Sequence, residues 1–172
     1  MFKRSRSGHV YLKLDDVECG LLEQLLGQII ELIEVPDVPA STDPLARLVG
    51  LEGPTDISED PALARLFPDG YTDDAEAASD FRRFTEPDLR TKKLMCARIS
   101  QATLDDWTGR RDLSDDQARS WLLALNDLRL TLGARIGLGD DSDDDIDFDD
   151  PAYHLYDWLT YQQGTLIEAL AP

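Results

Sequence analysis

The sequence predicts a mainly α-helical protein: a bundle of about five to seven helices with a short N-terminal β-strand or hairpin, in a single domain over residues 1–172. Apolar residues recur at helical spacing through most of the chain, and an Asp, Ser or Thr precedes each such stretch at an N-cap position. Only one segment alternates with period two, and 172 residues suffice for a single core.

That segment is GHVYLKL at 8–14, with Val10, Leu12 and Leu14 on one side and His9, Tyr11 and Lys13 on the other. It is expected to pair with residues 2–5. A lone hairpin is marginal, so it must dock on the helical body or on a second copy of the chain, which leaves a homodimer open.

Asp15 or Asp16 then caps a helix running to about Glu34. Its apolar residues Val17, Leu21, Leu22, Leu25, Leu26, Ile29, Ile30, Leu32 and Ile33 form a stripe too wide for a surface helix. Pro36 and Pro39 end it, and Asp43-Pro and Asp60-Pro each read as an N-cap followed by Pro at the first helical position. A helix from Asp73 carries Ala75, Ala78, Phe81 and Phe84. Thr85-Glu-Pro-Asp88 reads as a fresh cap restarting a helix to about Trp107, with Leu89, Cys96, Ile99, Thr103 and Trp107 on one inward face. Ser114-Asp-Asp-Gln117 caps the Trp121, Leu122, Leu125, Leu128, Leu132, Ile136 helix, which Gly137 and Gly139 stop. Asp150-Pro151 opens the last helix, burying Leu155, Trp158, Leu159, Leu166 and Leu170. Between these two lies an Asp-rich loop, eight Asp in residues 140–150, which mutual repulsion is expected to keep extended.

The net charge of −18 argues against direct DNA binding, because duplex affinity comes from neutralising phosphates. The charge is segregated. Residues 1–14 carry Lys3, Arg4, Arg6 and Lys13 with no acid, and residues 82–111 carry eight bases against four acids. These segments, with Arg4, Arg6, Arg82, Arg83, Arg90, Lys92 and Lys93 as the candidate contact residues, would meet an acidic protein partner, or else pair with the chain's own acidic loops. No apolar run is long enough for a membrane span and no secretory signal opens the chain, so a cytoplasmic protein is expected.

Catalytic and metal chemistry find little support. The Asp run lacks the Gly and terminal Glu of an EF-hand in any register. Cys19, Cys96, His9 and His154 contain no local ligand pair for zinc, neither cysteine sits in an activating motif, and Gly137-x-Gly139 follows a helix where a phosphate cradle must precede one. No enzyme, metal or cofactor is expected. One sharper idea concerns the thiols: Cys19 lies in a helix's first turn, where the dipole favours thiolate, and Cys96 lies mid-helix and inward, so a bridge would tie two distant helices as a redox switch. Two core thiols that never meet are the alternative.

The residues Asp60-Pro-Ala-Leu-Ala-Arg-Leu-Phe-Pro-Asp-Gly-Tyr, then Asp73-Asp74, Glu76-Ala-Ala, Phe81-Arg-Arg-Phe-Thr-Glu, Leu89-Arg and Lys93-Leu94, resemble the actinobacterial family of domain of unknown function 2017. The first strand and helix and the Trp121 and Trp158 helices are similar to it as well. The resemblance implies a cytoplasmic protein encoded near the Clp protease adaptor, with some members acting as redox-responsive transcriptional regulators through RNA polymerase, a sigma factor and two distant cysteines. Cys19 and Cys96 suit that description. The competing expectation is a scaffold linked to Clp components, with structural thiols.

Overall fold

The computed structural model describes residues 1–34, 54, 56–71, 73–138 and 149–171. Pro36, Pro39, the Asp43-Pro piece, Gly139 and residues 140–148 of the Asp run lie outside them. The described residues form, in order, β1 (Phe2–Arg4), β2 (Val10–Lys13), α1 (Asp16–Glu34), α2 (Pro61–Leu66), α3 (Ala75–Ala102), β3 (Arg110–Asp112), α4 (Asp115–Arg135) and α5 (Pro151–Leu170).

Helix starts follow their local chemistry. Asp15 accepts from the Glu18 N–H at 2.8 Å while Glu18 accepts from the Asp15 N–H at 3.0 Å, so α1 begins with a reciprocal cap. Ser114 and Gln117 make the same exchange ahead of α4. Asp60 and Asp150 each cap a helix whose first residue is Pro, where the missing N–H costs nothing. Gly137, at φ 74°, turns the chain out of α4.

Three expectations need correction. Thr85 does not start a new helix: α3 runs unbroken from Ala75 through Pro87 to Ala102, and the Thr85 hydroxyl donates to the Phe81 carbonyl one turn back at 2.7 Å. Val17, placed on the α1 core stripe, is 81% exposed, because at the helix entrance its face points past the neighbouring helices. Leu89, placed inward beside Cys96, is 38% exposed.

The sheet is antiparallel in the order β1-β2-β3, pairing Phe2 with Leu12 and Leu12 with Arg111. The first pairing is the expected hairpin. The third strand, Arg-Arg-Asp, has no apolar alternation and went unread. The sheet docks on the chain's own helices. Phe2 packs edge-on against Trp121 of α4 with ring centroids 5.6 Å apart, and its N–H donates to the Thr165 hydroxyl of α5 at 3.1 Å.

Trp121 is fully buried and donates from Nε1 to Thr103 Oγ1 at 2.9 Å, tying α4 to the end of α3. Around it the core gathers Leu22, Leu26, Ile29 and Ile33 of α1, Leu63 and Leu66 of α2, Ala97 of α3, Leu125 and Leu128 of α4, and Leu159 and Leu166 of α5. Helix α1 therefore supplies a central apolar face, as its wide stripe predicts.

Candidate functional site

The basic residues proposed to meet a partner divide into two groups. Arg82 is 4% exposed. Its guanidinium bonds Asp69 at 2.6 Å, Glu86 at 2.9 Å and the Phe67 carbonyl at 3.0 Å. Glu86, also buried, accepts Arg90 at 2.8 Å through its other oxygen, and Arg90 stacks over the Phe67 ring and donates to the Ile33 carbonyl. Burial works against the Arg82 charge, but Asp69 and Glu86 outweigh it and hold the guanidinium more firmly protonated than usual. Lys93 pairs with buried Asp127 of α4 at 2.6 Å. Arg82, Arg90 and Lys93 are thus spent on the protein's own acids, joining α1, the α2–α3 connection, α3 and α4. Arg83 is half-buried, Lys92 and Arg6 are exposed, and exposed Arg4 donates to the Ala171 carbonyl.

Seating arginines inward turns α3 over. Phe81 is 44% exposed and Phe84 62%, with Tyr71 beside them at 53%. The sequence reading carried both phenylalanines among the helix's apolar residues without assigning them a surface. A signal was present: Arg82, Glu86 and Arg90 lie at i, i+4 and i+8, a self-satisfying charged stripe, which leaves Phe81 and Phe84 to other faces.

The thiols are both free and both buried, Cys19 at 6% and Cys96 at 5% exposure. Burial, then the carboxylates of Glu23 and Asp16, push the Cys19 thiol up, so the helix-dipole expectation of a favoured thiolate is reversed there. Helices α1 and α3 run in opposite directions, Arg90 reaching the carbonyl of Ile33 and Gln101 lying against Gly27. Cys19 lies at the entrance of α1, whereas side-chain contacts of α3 with α1 fall at Gly27, Ile33 and Glu34. A disulfide needs Cα atoms within about 7 Å. Both thiols are free in this structure.

A shallow depression beside the β1–β2 turn is lined by Ser5, Ser7, His9, Arg110, Asp112 and Ser114. Its polar groups serve one another, the Ser5 and Ser7 hydroxyls at 2.9 Å and Arg110 with Asp112 at 2.7 Å. Among the described residues no three His, Cys, Asp or Glu side chains converge on a metal position, and no helix is long and apolar enough to cross a membrane.

The family model for the domain of unknown function DUF2017 matches residues 1–170. The chain belongs to this family. Relatives from Mycobacterium tuberculosis and Mycobacterium bovis, each named oxidative stress regulator AosR, are 31% identical over 170 residues, covering 89% of this chain and 78% of theirs. No solved structure matches.

Proposed function

We propose that this DUF2017 protein is a non-enzymatic, cytoplasmic regulator of an oxidative-stress response that works by contact with the transcription machinery, RNA polymerase or a sigma factor. The observation that carries the reading is the kinship over nearly the whole chain with proteins named oxidative stress regulators.

In this reading Cys19 and Cys96 are the oxidant-responsive groups, held in reserve by burial. A bridge between them, in this reading, draws the first turns of α1 out of the core. The bridged form and the reduced fold therefore exclude one another, and two exclusive states are what a switch requires. Affinity capture with the full chain under reducing and oxidising conditions tests this, with Cys19→Ser and Cys96→Ser as controls. Polymerase or sigma subunits should be retained in proportions that follow redox state, and the dependence should vanish in both variants. Capture indifferent to redox state removes the switch, and capture of Clp components in place of polymerase overturns the transcriptional reading. Peptide mapping after mild peroxide must also yield a 19–96 crosslink at native concentration.

A further inference from the structure

The first half of α3 is inverted relative to an ordinary surface helix. It buries Arg82 and Glu86 and presents Phe81 and Phe84 to solvent. A buried charge and an exposed large aromatic are each the informative exception to burial by polarity, and here the two are paired on one helix. The aromatic group is also fixed in place. Tyr71 meets Phe81 edge-on with centroids 5.8 Å apart, and Gly70 lies so close beneath the Phe81 ring that an added Cβ would stand 2.5 Å from it.

Acids surround this patch. Asp80 precedes Phe81, Asp88 lies one turn beyond Phe84, Glu76 one turn before Asp80, and Asp73 and Asp74 follow Tyr71 in the chain, all of them exposed. Arg82 is turned inward onto Asp69, Glu86 and the Phe67 carbonyl, so half-buried Arg83 is the cation within this stretch of α3 with access to solvent. We infer that Tyr71, Phe81 and Phe84 form a docking surface for a basic amphipathic segment of a partner protein, its apolar side chains on the rings and its Lys or Arg side chains on the acidic rim. The chain's charge of −18 would steer such a segment toward it.

A second copy of the chain fits poorly. A two-fold contact would set the same patch on itself, bringing acidic rim against acidic rim. Three rings also fall short of the roughly 800 Å² per partner of a stable interface, whereas they suit the anchors of one helix laid in a groove.

The inference rests on the reading of the protein as one that acts by contact, but its test reads the surface alone, so either can fail without the other. The probe is a helix-forming peptide with Leu at i, i+3, i+4 and i+7 and Lys elsewhere, titrated against the full chain by calorimetry. A matched peptide with Glu in place of Lys is the control. The Lys peptide should bind, Phe84→Ser should weaken it about tenfold as loss of a central aromatic anchor does, and Asp80→Lys should weaken it further at low salt. Phe84 is 62% exposed, so the variant should melt with the wild type, which separates lost binding from lost fold. Equal binding by Phe84→Ser, equal binding of the Glu peptide, or a wild-type dimer that Phe84→Ser converts to monomer each overturns the proposal.

Discussion

Replacing Arg82 by Met keeps an unbranched apolar stem and removes the guanidinium at the centre of the α3 network. The consequences fall unequally on its partners. Asp69, whose side chain is 36% exposed, returns to water at small cost. Glu86, at 6%, cannot, but it keeps Arg90 at 2.8 Å and so is not left wholly uncompensated. The Phe67 carbonyl loses its donor. Breaking a buried pair by removing one partner costs about 3–5 kcal/mol, and the surviving Arg90 contact places the loss near the lower end, about 3 kcal/mol. For a chain of this size that corresponds to a fall in Tm of roughly 6–12 °C. Glu86→Gln, which leaves one arginine an amide oxygen and sets an NH2 donor against the other, should cost about 2 kcal/mol, an unmatched buried donor being the main term. The double variant should be less destabilised than the sum by about 1–2 kcal/mol, as expected for residues in one network. Urea unfolding followed by tryptophan fluorescence measures all four corners of the cycle. An Arg82→Met loss under about 1 kcal/mol, or additivity within about 0.5 kcal/mol, would refute the claim that this network holds α3 in its inverted setting.

Three further outcomes follow. Cys19 and Cys96, both buried, should react with a thiol reagent far more slowly than in urea-unfolded protein, and Glu23→Gln should lower the pH at which Cys19 labels in the folded state by removing a neighbouring charge; labelling at the unfolded rate contradicts the geometry. Burial raises the Asp127 carboxyl above 3.8 against the pull of Lys93, so the stability it contributes is complete below 3.8 and lost as pH rises through the higher folded value. Asp127→Asn should flatten that stretch of the stability–pH curve, and an unchanged slope would count against the assignment. Ser114→Ala removes the α4 cap and should cost about 1 kcal/mol by urea unfolding, with no loss if the reciprocal bonds to Gln117 are not formed in solution.

What the sequence disclosed divides along the range of the interactions. The caps at Asp15, Asp60, Ser114 and Asp150 were readable because each lies within three residues of the N–H it satisfies. The wide stripe of α1 announced a central helix because periodicity records which face is buried. Thr85-Glu-Pro-Asp88 misled for the opposite reason: locally it has the residues of a fresh cap, but Glu86 and Arg90 are tied to Arg82, Phe67 and Ile33, and those partners hold the helix through Pro87. Strand β3 was invisible because Arg110 and Asp112 carry no apolar pattern and its identity comes from pairing with residues 11–13. At Arg82, Arg90 and Lys93 the bases pair with the chain's own acids, the alternative the sequence left open, because net charge along the chain does not reveal which bases have acids waiting across the fold.

The seating of β1 has a consequence for how the chain comes into being. Phe2 leaves the ribosome well before Trp121, on which its ring rests, and Thr165, which accepts its N–H and lies 163 positions later. The hairpin emerges without the surface it needs and, being marginal alone, must wait until the chain through Thr165 is made. During that interval Phe2, Val10 and Leu12 stand open to whatever is near the exit tunnel. Synthesis that stalls before α5 would therefore leave an apolar strand edge exposed, a hazard that the finished molecule conceals.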